Sequence, residues 1–142
     1  MKQQRFDRAV VLLDSSSSDG DDGASLAASL LGADGHLTLA VSLSGPEAWG
    51  VSAFADSEAL SISDAATVYL KQVTERLDHP QISTTMVDGA ELTAELIAMV
   101  EESDADVLVL PAPWAVRIMA TKRSWAALSF PVVVVPARPS AA

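Results

Sequence analysis

The stretch "LLDSSSSDGDDG", residues 12–23, gathers the side chains of this sequence best suited to holding a phosphate. It follows an apolar run and precedes an apparent helix. A strand, a Ser- and Gly-rich turn and a helix start form a ready anion site, because hydroxyls and the first free N–H groups of the helix converge there. Asp14 marks the strand end, and Ser15 and Ser16 lead the serine run Ser15 to Ser18. Asp19, Asp21 and Asp22 oppose that use. Each like charge a few Å from an anion costs about 1 kcal/mol in water and more inside a crevice. Far along the chain, Arg117, Lys122 and Arg123 can supply compensating positive charge. The candidate nucleotide contacts are therefore Asp14, Ser15, Ser16, Arg117, Lys122 and Arg123. Against them stands a plainer reading, in which Asp14 caps the next turn and the serines form an ordinary flexible loop.

Other chemistry is thinly represented. His36 and His79 are the only histidines, they fall on different elements read as far apart in the sheet, and no metal-ligand spacing surrounds them. Asp14, Asp19, Asp21 and Asp22 are oxygen donors without the spacing of a calcium loop. The serine run has no evident base, and no G-x-S-x-G elbow occurs. A receiver-like phosphoacceptor would need a lysine late in the chain on the last strand, which here ends Val-Val-Pro. The absence of cysteine removes disulfides, thiolate nucleophiles and Cys-ligated metals. The expectation is a protein without catalytic residues, metal or cofactor.

The chain has 142 residues, the length of one ordinary domain, so residues 1–142 read as one unit. Its net charge of −10 is uneven. Residues 1–106 hold all 19 acids and 5 basic residues, whereas Arg117, Lys122, Arg123 and Arg138 make residues 107–142 positive. Such an acidic chain repels nucleic acid and anionic membranes. No apolar run reaches the ~18 residues of a membrane span. The apolar run Ala9 to Leu13 is too short for a signal peptide, so a cytoplasmic protein is expected.

The elements that must position these side chains alternate. "RAVVLLD", residues 8–14, is a continuous aliphatic run of the kind buried on both faces of a parallel sheet. A helix is expected over 22–33, with Gly32 and Gly35 at its end, and a strand over 36–43. Residues 44–62 are irregular, with room for a helical turn, and Trp49 and Phe54 are expected to fold back onto the domain. Ala65, Tyr69, Val73 and Leu77 recur at i+4 in a helix over 63–78 capped by Ser63. A strand follows at 82–87. Asp88 and Glu91 have capping-box spacing before a helix over 90–103. The remaining elements are a strand at 106–110, a helix at 114–129 and a strand at 131–136. This β-α-β order predicts a doubly wound α/β fold, a five-stranded parallel sheet with helices on both faces.

On these residues the chain resembles the universal stress protein family over nearly its whole length. The first strand ending in Asp14 and serines is similar to the family's opening strand. "MVDGAELTAELIAMVEESDADVLVLP" is similar to its third strand, turn, helix and fourth strand, and "FPVVVVPA" to its closing strand. The resemblance implies sheet order 3-2-1-4-5, with the loops after Asp14 and Leu110 as two lips of one crevice. It also implies that Asp14 sits at an adenosine-contacting position.

ATP-binding members wrap the phosphates with a glycine-rich loop after the fourth strand. This chain has "PAPWAVRIMATKRSW", residues 111–125, in its place, and no glycine after Gly89. Pro111 and Pro113 offer no N–H, and Trp114 fills space that a phosphate needs. The family also dimerises through its last strand, and Val132, Val133, Val134 and Val135 suit that edge. The expected function is a non-enzymatic stress-response protein that acts as a homodimer or by binding another protein, without ATP. The alternative is an adenine-nucleotide binder with an atypical crevice.

Overall fold

The structure, a computed structural model, describes residues 6–16, 22–114 and 130–135. Five strands, β1 (Phe6–Leu12), β2 (Leu31–Ser42), β3 (Ile82–Val87), β4 (Val107–Leu110) and β5 (Val132–Val134), form one sheet. Its order is β3-β2-β1-β4-β5, and every pairing is parallel. Among the described residues four helices accompany it: α1 (Asp22–Leu30), α2 (Trp49–Glu58), α3 (Ile62–Leu77) and α4 (Leu92–Glu102).

The aliphatic run of β1 explains its central place. Ala9, Val10, Val11, Leu12 and Leu13 are each at most 1% exposed. Successive side chains of a strand point to opposite faces, so a strand covered on both sides needs an unbroken apolar run. Ala9, Val11 and Leu13 enter a core with Ala24 and Ala27 of α1, Val51 and Ala55 of α2, and Ala65, Leu70 and Val73 of α3. Val10 and Leu12 enter a second core with Leu96 and Val100 of α4, Leu108, Leu110 and Trp114. Each fully buried Val or Leu contributes about 1.5–3 kcal/mol relative to exposure, so these two cores hold the sheet.

Several local expectations need correction. α1 stops at Leu30, three residues short of the expected end, and β2 begins at Leu31, five residues early. Leu31 pairs with Phe6 and is buried, so sheet pairing claims residues that periodicity gave to the helix. The expected irregular stretch contains a 3-10 turn at Pro46–Ala48 and the whole of α2. Trp49 does not fold back: it is 68% exposed, and Phe54 is 36% exposed. Ser61, not Ser63, caps α3, its hydroxyl accepting from the Asp64 N–H at 3.1 Å. No capping box forms between Asp88 and Glu91. The Glu95 carboxylate instead accepts from the Gly89 N–H at 3.0 Å, because Gly89 takes a positive φ of 93° that turns its N–H toward α4. The helix expected over 114–129 lies outside the described residues beyond its first position, Trp114.

Among the described residues the edge strand β5 pairs with β4 alone, and its three valines are half-buried. Pro131 accepts from the Leu108 N–H, and the Val135 N–H donates to Leu110, so residues 131 and 135 direct these groups at β4. Strand alternation turns the N–H and C=O of Val132 and Val134 away from β4.

Candidate functional site

In this strand order the chain moves from β1 outward to β2 and β3, then returns to the other side of β1 for β4 and β5. The loops leaving β1 and β4 therefore diverge, and a crevice opens at their strand ends. Asp14, Ser15 and Ser16 stand on the first lip, and Pro111 to Trp114 on the second.

The first lip is occupied with its own hydrogen bonds. Asp14, 5% exposed, accepts through Oδ1 from the Ser16 N–H at 3.0 Å and from the Ser16 hydroxyl. This is the turn-capping arrangement of a strand-end aspartate. The Ser15 hydroxyl donates to the Glu47 carbonyl at 2.8 Å and accepts from the Val51 N–H at 3.1 Å. Its own N–H reaches the same Glu47 carbonyl at 3.0 Å. A serine hydroxyl carries one proton. Both described serines of the loop direct that proton at protein acceptors rather than into the crevice.

A close approach between backbones sets this geometry. A Cβ on Gly50 would lie 1.8 Å from the Ser15 carbonyl oxygen, so only glycine lets the start of α2 seat against the β1 loop. That seating brings Glu47 into the interior at 4% exposure.

The second lip meets the first through Trp114. A turn closed by the Trp114 N–H on the Pro111 carbonyl, at 3.0 Å, aims the indole inward. The ring is 1% exposed and packs with Val10, Leu12, Ala40, Leu96, Leu108 and Leu110. Its Nε1–H donates to Glu47 Oε1 at 3.1 Å. Glu47 follows β2 and Trp114 follows β4, while β1 lies between those two strands. The bond consequently crosses beyond the β1 end and roofs it with this chain's own side chains.

Sequence reasoning placed Asp14, Ser15, Ser16 and Trp114 at this crevice, and the structure brings them there. It missed Glu47. A lone acid in "GPEAWG" has no periodic signal, and the only hint was its position between Pro46 and two small or aromatic residues after a strand end. Arg117, Lys122 and Arg123 lie outside the described residues, as do Asp19 and Asp21 of the acidic loop.

The two histidines are neighbours, contrary to expectation. β2 and β3 pair in register, and His79 Nε2 lies 2.8 Å from the carbonyl of Gly35, the residue before His36. His36 Nε2 contacts Ser83 Oγ at 2.7 Å on an exposed surface. Among the described residues no group of three His, Cys, Asp or Glu side chains is placed to hold a metal. No described helix is long and apolar enough to cross a membrane.

A five-stranded parallel sheet in this order, layered between helices with a crevice at the β1 and β4 ends, defines the doubly wound α/β class. Within that class, solved structures place it with the universal stress proteins in fold. A universal stress protein family member from Burkholderia pseudomallei aligns over 96% of this chain and all of its own, with a TM-score of 0.64 at 17% identity. The hypothetical protein MJ0577 aligns over the same 96% of this chain and all of its own, with a TM-score of 0.68 at 14% identity. A universal stress protein solved in complex with cAMP covers 94% of this chain and 98% of its own length, with a TM-score of 0.59 at 18% identity. No family model matches the sequence, and none of the curated proteins does so.

Proposed function

We propose that this protein is a universal stress protein that works without catalysis and without ATP, through contact with a second copy of itself or with another protein in the cytoplasm. The fold supports the family reading. The observation that carries the rest is the roof over β1: Trp114 bonded to Glu47, above a loop whose Ser15 and Ser16 protons point at protein acceptors. A triphosphate needs a concentration of donors and open volume at that position. Pro111 and Pro113 remove two donors more. The N–H and C=O groups that Val132 and Val134 turn away from β4 suit pairing with a two-fold mate.

The second reading is an adenine-nucleotide site built from Asp14, Ser15, Ser16, Arg117, Lys122 and Arg123. It is favoured by the fold-similar universal stress protein that holds cAMP. Thermal unfolding with millimolar ATP or cAMP and magnesium separates the two. A ligand present at a hundredfold its Kd adds about 2.7 kcal/mol, roughly 8 °C in a domain of this size. We expect no shift with either nucleotide. A shift of that size overturns the ATP-independent reading.

A further inference from the structure

A second concavity lies between α2 and α3, bordering the first lip, since its Gly50 and Val51 also seat against Ser15. It encloses about 220 Å³. One wall is the α2 stripe Gly50, Val51 and Phe54, and the other is the α3 stripe Ala65, Val68, Tyr69 and Gln72. The α3 positions are i, i+3, i+4 and i+7 of one helix face, and the α2 positions fall at i, i+1 and i+4. Val51 and Ala65 are buried at its floor, while Phe54 and Gln72 stand exposed at its mouth.

Its composition is selective. This chain has a net charge of −10, yet among the described residues no Asp, Glu, Lys or Arg lines the groove. A charge at the floor loses its water without gaining a partner among the described lining residues. The volume falls below the 300–1,000 Å³ typical of drug-sized ligands, so the occupant is small. Phe54 offers an aromatic face, Val51, Ala65 and Val68 offer apolar walls, and the Gln72 amide offers a donor and an acceptor at the rim.

We infer that the α2–α3 groove is a binding site for a small, neutral, planar aromatic molecule of one or two rings carrying one hydrogen-bonding edge. Ligand-observed NMR on the full chain, titrating indole and p-cresol as probes with indole-3-acetate as the charged counterpart, tests this. Indole is expected to saturate with a Kd on the order of 0.1–1 mM, as suits a ligand of this size, and indole-3-acetate to bind at least tenfold more weakly. Val68→Phe fills the groove and should weaken indole at least tenfold. Phe54→Asp places a charge in its wall at an exposed position that the fold tolerates, and should do the same even if Val68→Phe fails to fold.

Absence of saturable binding by either neutral probe overturns the inference, and so does indole binding that both variants leave unchanged. Sedimentation is run alongside. Self-association that Phe54→Asp abolishes and that keeps indole out also overturns it, and gives the groove to a second copy.

Discussion

Substitution of Trp114 by phenylalanine isolates the contact on which the functional reading depends. The phenyl ring keeps most of the packing against Val10, Leu12, Ala40 and Leu110 but loses the N–H that reaches Glu47 Oε1 at 3.1 Å. Both partners are buried, so the lost bond costs about 1–3 kcal/mol. The ring is smaller by roughly 40 Å³, which at ~24 cal/mol per Å³ of residual cavity adds about 1 kcal/mol. The total, about 2–4 kcal/mol, is a large share of the ~5–15 kcal/mol that stabilises a typical domain. Urea unfolding followed by far-UV circular dichroism measures it, provided the m-value is unchanged. A double-mutant cycle with Glu47→Ala then separates the bond from the packing. Residues in direct contact couple by about 0.5–3 kcal/mol, and we expect at least 1 kcal/mol here. Trp114→Phe within about 0.5 kcal/mol of the parent, or a coupling near zero, refutes the roof as a built contact.

Ser15→Ala removes a hydroxyl that both donates to Glu47 and accepts from Val51, and should cost about 1–3 kcal/mol in the same urea assay. Gly50→Ala drives a methyl into the Ser15 carbonyl, where backbone cannot yield cheaply. It should destabilise by about 2 kcal/mol or more, read as a lower thermal midpoint. Val134→Pro deletes an N–H that faces away from β4 and spares the pairing with β4. Equilibrium sedimentation should show the parent at twice the chain mass and the variant at one chain mass, and a variant that stays dimeric removes the edge-strand interface.

Central packing was the part of the fold most legible in the residues. "AVVLL" admits few places other than the middle of a parallel sheet, and β3 begins and ends where Ile82 and Val87 predict. Boundaries failed where long-range pairing overrode local pattern. Leu31 has the spacing of a helix residue and is drawn into β2 by Phe6. α2 was missed because its apolar positions do not form a clean stripe: Trp49 is exposed while the small residues Val51 and Ala55 are buried.

At the site, Asp14 and Trp114 were readable from position, one closing an apolar run and the other following two prolines. Glu47 was not, because an acid becomes an interior residue only when a partner far along the chain receives it. The proximity of His36 and His79 was hidden for the same reason, since it follows from the β2–β3 register and not from their separation in sequence.

The bond from Trp114 to Glu47 spans 67 residues of chain. A ribosome adding about 5–20 residues per second needs roughly 3–13 s to travel that far. Throughout that interval the emerging β1–β2–β3 half carries Glu47 without the indole that will seal it from water. Completion of the sheet on its β4 side is thus the moment at which the nascent chain first acquires a dry top, and chaperones have those seconds in which to meet it.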